Sequence, residues 1–191
     1  MTEKIFGNKS EFAVRYVPGW KSQNNEYLHG KLHLMLNGFL LGDKDEDCLI
    51  ETWISSMEHN LKLIENNSSK LYHPEFQKRT DEEIFELIYK SNQLPDEFNK
   101  NYLHLPIIPN EIWQNCNLSI DETIDAYLIT MTCEKDILKF IWKGLREPCP
   151  KEQIDKLLSI SIDRTQVSNV IKECIKYVQN DIKNYKIKTT S

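Results

Sequence analysis

The sequence lacks the short glycine-rich motifs that bind phosphate groups. It has 6 glycines, and no window reads GxGxxG, GxxxxGKS or GxxxxGKT, so no nucleotide-binding loop is predicted. The GxSxG motif, which forms the nucleophile elbow around a catalytic serine, is also absent. An enzyme whose site is assembled from distant residues stays open as an alternative, but the sequence names no catalytic residue for it.

Cysteine is present without the spacing of a metal or redox site. The chain has 5 cysteines and no CxxC pair, which excludes the common zinc-knuckle and thioredoxin-type motifs. An odd, scattered set is typical of a reducing cytosol, where thiols act as small apolar core residues. The residues are Cys48, Cys116, Cys133, Cys149 and Cys174.

The chain also lacks a hydrophobic run long enough to cross a bilayer. The most apolar window, LHLMLNGFLLG, is interrupted by polar residues and falls short of the roughly 20 residues that a spanning helix needs. The first residues, MTEKIFGNKSEF, carry charges where a secretory signal needs an apolar segment. We therefore expect a cytoplasmic protein that has no membrane contact, cofactor or metal.

Charge is distributed unevenly along the chain. The net charge is −5, yet residues 43–86 hold twelve acids and five bases, whereas residues 146–191 hold nine bases and six acids. This pattern does not favour nucleic-acid binding, which needs a continuous basic face. The acidic window would suit a basic protein partner, because opposite charge steers encounter. The alternative is a solvated helix with its loops.

The clearest local signal is a β-hairpin within the apolar window. Asn37-Gly38 favours a type I′ turn, because both central residues of that turn need a positive φ. Closing the turn places apolar side chains on one face of the two strands. The predicted cross-strand pairs are Leu36 with Phe39 and Leu34 with Leu41.

His29 and His33 lie four residues apart on the strand that leads into this turn. On a helix such a spacing binds zinc, but on a strand the two positions are about 13 Å apart. The segment HGKLH also lacks the glutamate of the HExxH motif. We predict that the polar face of this strand is solvated or covered by a partner, and that it holds no metal.

Hydrophobic periodicity predicts helices and a second hairpin. Two of the helices begin at recognisable N-caps, Thr80 and Asp163. Runs rich in β-branched and aromatic residues indicate strands. In chain order we predict a strand at 11–17, a loop VPGW with the following SQNNE, the first hairpin, a helix at about 48–65, a short helix after Thr80, an irregular segment or edge strand at 91–117, strands at 125–133 and 137–143, a short helix at 151–158 and a long helix after Asp163.

Together these elements predict an α+β fold in a single domain, residues 1–191. An antiparallel sheet built from hairpins is packed by amphipathic helices on one face, and a helix forms the C-terminal part. Residues 65–117 are interpreted as an expanded insert and residues 185–191 as a frayed tail.

Three motifs resemble a known family. They are GNxxxFAV at residues 7–14, YLxGK at 27–31 and NGxxxGD at 37–43, and they resemble the beginning of the immunity protein 42 family. The second hairpin and the last helix are similar to it more loosely. Members of that family are cytosolic bacterial proteins that neutralise toxins of polymorphic-toxin or contact-dependent inhibition systems.

The resemblance implies stoichiometric binding to a cognate toxin domain, without a catalytic group or cofactor. If that toxin is a basic nuclease, charge steering makes the acidic window the expected contact surface. The alternatives are a general α+β adaptor domain without a toxin partner and a small enzyme whose site shows no motif. The candidate partner-binding residues are Asp43, Asp45, Glu46, Asp47, His29 and His33.

Overall fold

The computed structural model describes residues 2–21 and 27–187. None of the helices in these ranges is both long and apolar enough to cross a membrane. The strands are β1 (Lys4–Gly7), β2 (Phe12–Lys21), β3 (Leu28–Leu36), β4 (Phe39–Leu41), β5 (Cys48–Leu49), β6 (Tyr127–Glu134), β7 (Ile137–Gly144) and β8 (Leu157–Asp163). The α-helices are α1 (Ile50–Asn66), α2 (Asp81–Lys90), α3 (Asn110–Cys116) and α4 (Arg164–Ile187).

The first sheet is antiparallel and centred on β3. Its order is β1-β2-β3-β4, and β5 pairs with β3 beyond the end of β4. Asn37 and Gly38 have φ values of 49° and 82°, as a type I′ turn requires. The predicted hairpin is confirmed, with Leu36 opposite Phe39 and Leu34 opposite Leu41.

The loop predicted at VPGW is wrong, because β2 continues through these residues to Lys21. Here β2 and β3 approach so closely that a Cβ atom at Gly19 would lie 2.5 Å from the His29 carbonyl oxygen, and one at Gly30 would lie 2.7 Å from the Val17 carbonyl oxygen. Glycine permits this close backbone approach. The following segment SQNNE lies outside the described residues.

The second sheet has the order β6-β7-β8 and is also antiparallel. The hairpin of β6 and β7 is confirmed, whereas the short helix predicted at 151–158 is wrong. Residues 151–156 form turns, and residues 157–163 form β8, which pairs with β7 along its whole length. This pairing satisfies backbone groups that the end of a short helix would leave open, so tertiary context overrides local preference.

Helical segments connect α1 to β6. The irregular segment predicted at 91–117 contains short 3-10 turns and α3, and only Asn117 forms a bridge to β6, at Thr130. The capping box at Thr80 is confirmed: Thr80 N–H donates to Glu83 Oε2 at 3.0 Å, and Glu83 N–H donates to Thr80 Oγ1 at 3.2 Å. At the start of α4, Gln166 N–H donates to Asp163 Oδ1 at 3.0 Å, as the predicted cap requires.

The core lies between one face of the first sheet and a layer made of α1, α4 and the second sheet. Helix α4 packs against β1 and β2, and α1 packs against β3 and α4. The Tyr16 hydroxyl donates to Asp181 at 2.7 Å, which anchors α4 on the sheet. The ring of Phe12 stacks on Phe140 with centroids 5.6 Å apart, which joins the two sheets. The α+β class and the packing helices are therefore as predicted, but the strands form two sheets.

Replacement of Phe140 by alanine should destabilise the protein strongly. Phe140 is 1% exposed, so its removal leaves a cavity between the sheets and should lower the free energy of unfolding by about 3–5 kcal/mol. Urea unfolding of the purified protein measures this. Ile107→Ala is the control: its side chain is 71% exposed, and its loss should change stability by no more than about 0.5 kcal/mol. Equal losses in the two variants would contradict the assigned packing.

Candidate functional site

Residues 42–47, here called the acidic loop, connect β4 to β5, two strands that pair with the same strand β3. Both ends of the loop are therefore tied to the sheet. Asp43 N–H donates to the Thr123 carbonyl oxygen at 2.9 Å, and Asp45 N–H donates to Asp43 Oδ1 at 2.9 Å. These bonds fix the loop against β3 and the segment before β6.

Two side chains on the outer face of β3 hold the backbone of the acidic loop. Lys31 Nζ donates to the carbonyl oxygens of Lys44, at 3.3 Å, and Asp45, at 2.5 Å. His33 Nε2 lies 2.9 Å from the Asp43 carbonyl oxygen. This strand face was predicted to be solvated or covered by a partner, and for His33 that prediction is wrong. His33 is 1% exposed, so it supports the loop from inside the protein.

The surroundings of His33 determine its tautomer. Arg15, which is always a donor, places a guanidinium nitrogen 3.2 Å from Nδ1, so Nδ1 is the acceptor. The proton is therefore on Nε2, which donates a hydrogen bond to the Asp43 carbonyl oxygen. Burial lowers the pKa of His33 below its usual 6.5, and the charges of Arg15 and Lys31 lower it further, against the raising effect of the Asp43 carbonyl and Asp121. His33 is therefore neutral at physiological pH.

His29 belongs to an aromatic pair beside the loop. Its ring stacks on Trp20 with centroids 4.3 Å apart and planes 8° apart. Trp20 Nε1 donates to Asp47 Oδ2 at 2.9 Å, and Trp20 is 54% exposed. Sequence reasoning missed Trp20, because VPGW was interpreted as a loop. Tryptophan is enriched in strands, so its presence was the signal that could have extended the predicted strand to this position.

The four predicted acids fall into two pairs. Asp43 and Asp47 are partly buried. The Asp43 carboxylate accepts from the Asp45 amide, and the Asp47 carboxylate accepts from Trp20 and pairs with Lys31. The side chains of Asp45 and Glu46 are exposed and have no hydrogen bond or ion pair within residues 2–21 and 27–187. The acidic loop thus combines a fixed backbone with two free carboxylates.

The site offers charge but no activated nucleophile. Burial raises the pKa of Cys48, beside the loop, to about 12, so this thiol carries almost no thiolate at neutral pH. Burial likewise raises the pKa of Cys116 and Cys174 to about 12. In the described part of the chain, no group of three or more His, Cys, Asp or Glu side chains is placed to hold a metal ion.

A second concavity lies against the outer face of the second sheet, the face opposite the one that carries Phe140. This cleft of about 510 Å³ is lined by both aromatic and basic side chains, including Tyr72, Phe76, Lys78, Arg79 and Lys135. Its positive charge contrasts with the acidic loop. None of the residues predicted for partner binding lines it.

Comparisons with known proteins agree with this architecture. The structure is similar to the crystal structure of CdiI from Burkholderia dolosa AUO158, with a TM-score of 0.60 and 14% sequence identity over 91% of this chain and 99% of that chain. At this identity the likeness concerns the fold. Among curated proteins, none matches the sequence.

The family comparison defines the class of protein as the toxin-neutralising immunity proteins. Within this class the chain belongs to the Immunity protein 42 family, whose model matches residues 1–177. The resemblance found in the sequence is therefore confirmed.

The buried imidazole of His33 predicts a loss of stability in mild acid. Below about pH 6.5 the unfolded chain binds a proton on His33 that the folded protein excludes, so stability should decrease by at most about 1.4 kcal/mol per pH unit until the lowered pKa is reached. His33→Gln keeps a side-chain N–H for the Asp43 carbonyl but cannot titrate. Its urea-unfolding free energy should vary less over this range than that of the wild type.

The matched control is His59→Gln, because His59 is exposed on α1. This variant should keep the pH dependence of the wild type. Parallel curves for the wild type and His33→Gln would show that His33 does not cause the loss.

Proposed function

We propose that the protein binds a cognate toxin domain one-to-one and blocks it through the acidic loop, without catalysis. The observation that carries this proposal is the pair of exposed carboxylates of Asp45 and Glu46, which make no hydrogen bond or ion pair within the described residues. They lie on a backbone held by Lys31 and His33. A charged surface that is already ordered loses little conformational entropy when a partner binds.

The proposed partner has a basic surface, as a nuclease toxin would have. A nuclease needs basic residues to hold phosphate groups, and an acidic loop placed on those residues would exclude the nucleic acid. Opposite charges would also accelerate the encounter, because electrostatic complementarity acts mainly on the association rate. We place this action in the cytoplasm, where a delivered toxin meets its substrate.

Trp20 and His29 are proposed to extend the contact surface beside the carboxylates. The stacked rings are next to Asp47, and more than half of Trp20 is exposed. Tryptophan is enriched among the residues that dominate binding energy in protein interfaces. Of the predicted partner-binding residues, His33 is reassigned to a supporting role.

Co-expression tests the proposal against the adaptor and enzyme alternatives. If the adjacent reading frame encodes a large secreted protein with a toxic C-terminal domain, that domain is the candidate toxin. Protection of cells, co-purification of the two proteins and a one-to-one protection titre support stoichiometric neutralisation. Protection at substoichiometric amounts would indicate an enzyme, and neither protection nor binding would leave the adaptor alternative.

Reversing the free charges should slow binding. In Asp45→Lys/Glu46→Lys, the association rate constant with the toxin domain should decrease by about tenfold at low salt, and its dependence on ionic strength should weaken. Stopped-flow measurements over a salt series test this. Both side chains are exposed, so the urea-unfolding midpoint should stay close to that of the wild type.

The control variant Asp96→Lys/Glu173→Lys changes the net charge equally at two exposed positions outside the acidic loop. It should associate faster than the loop variant. Association and protection by the loop variant at wild-type levels would reject the acidic loop as the contact surface, while failure of the wild type to protect would reject the immunity function for the toxin tested.

A further inference from the structure

A pocket lies at one end of the acidic loop, where the two sheets meet. Its volume is about 540 Å³, within the range of pockets that hold specific ligands. One wall comes from the first sheet, at residues 38–45, and the other from the segment that follows β7, at residues 148–153. The pocket is therefore formed by parts of the chain that are distant in sequence.

The charged groups that line this pocket favour a cation. Asp43, Asp45 and Glu152 contribute carboxylates, and Lys44 is the one basic side chain among the described lining residues. Glu152 is exposed and has no ion pair or hydrogen bond in the described ranges. Two of the carboxylates belong to the acidic loop, whereas Glu152 extends the negative surface to the second sheet.

The inner wall contains a polar atom that has no partner in the described structure. Gln153 Oε1 is buried and makes no hydrogen bond in the described structure, and the Gln153 residue is only 2% exposed. The neighbouring Tyr127 is 5% exposed. A buried acceptor without a donor costs about 1–3 kcal/mol. Burial raises the pKa of Tyr127, with further contributions from Cys149 and Glu152, so its phenol stays neutral. The unmet acceptor on Gln153 indicates a ligand that donates hydrogen bonds.

We propose that this pocket receives an arginine side chain of the toxin, an inference that rests on the proposed function. A guanidinium carries several N–H donors in one plane, so it bonds to a buried amide oxygen and to rim carboxylates at the same time. It is also more weakly hydrated than an ammonium group, which suits walls that include Phe39 and Pro148. The arginine would anchor the partner beside the free carboxylates of Asp45 and Glu46.

A titration with a small probe tests the chemistry of the pocket without the toxin. Nα-acetyl-arginine N-methylamide is added to the full-length ¹⁵N-labelled protein, and Nα-acetyl-citrulline N-methylamide serves as the uncharged isostere. Saturable NMR shifts are expected at the Gly42 amide and the Gln153 side-chain amide. Binding of the citrulline compound should be at least about tenfold weaker, because it has no charge to pair with the carboxylates.

Three variants locate the probe. Glu152→Gln should weaken binding of the arginine compound by at least about threefold, and Gln153→Met should weaken it by removing the buried acceptor. Glu147→Gln makes the same charge change in the same segment at an exposed residue that does not line the pocket, and should bind like the wild type. Equal binding of arginine and citrulline compounds, no saturable shift, or shifts centred on the cleft at Tyr72 would overturn the proposal.

Glu152 lies outside the acidic loop, so it separates this inference from the proposed function. The affinity of Glu152→Gln for the toxin domain should decrease by about tenfold, while Glu147→Gln keeps the wild-type affinity. If the wild type binds and Glu152→Gln binds equally well, the pocket inference fails and the proposed function stands. If the wild type does not bind the toxin domain, both fail.

Discussion

The acidic loop depends on hydrogen bonds from β3 to its backbone carbonyl oxygens. Lys31 and His33 donate to the carbonyls of residues 43–45. Lys31 also pairs with the Asp47 carboxylate at 3.9 Å, but Asp45 and Glu46 make no ion pair within the described residues. A cation that paired with the carboxylates would neutralise the surface it supports. Because Lys31 binds mainly peptide oxygens, the loop is ordered while Asp45 and Glu46 remain charged and exposed.

This arrangement requires side chains on both faces of β3 to make specific contacts. One face contributes Leu32, Leu34 and Leu36 to the core under α1 and α4, and the other contributes Lys31 and His33. Arg15 on β2 sets the proton position on His33, so a neutral imidazole bonds to the loop. The hydrophobic core and the charged surface are therefore opposite faces of one strand, and a shift of its register by one residue would exchange them.

Much of this was predictable from neighbouring residues in the chain. Asn37-Gly38 defined the hairpin register, and the Thr80 capping box and the Asp163 cap marked the helix starts. The failures have a common origin. The strand character of VPGW, the strand β8 and the burial of His33 all depend on segments that pack against them from elsewhere in the fold. The pocket between residues 38–45 and 148–153 is formed by segments that are distant in the sequence, and no local pattern predicts it.

The sequence by itself determined the local geometry and the charge: which residues turn, where helices begin, and that residues 43–47 carry four acids and one base. These properties follow from φ preferences, side-chain periodicity and ionisation, which involve few neighbours. Only the tertiary structure decided which acids are free, which histidine is buried, and that Glu152 and Gln153 lie beside the acidic loop. Partner choice among polar groups depends on which distant backbone atoms come within hydrogen-bonding distance, and that distance is set by the packing of the whole domain.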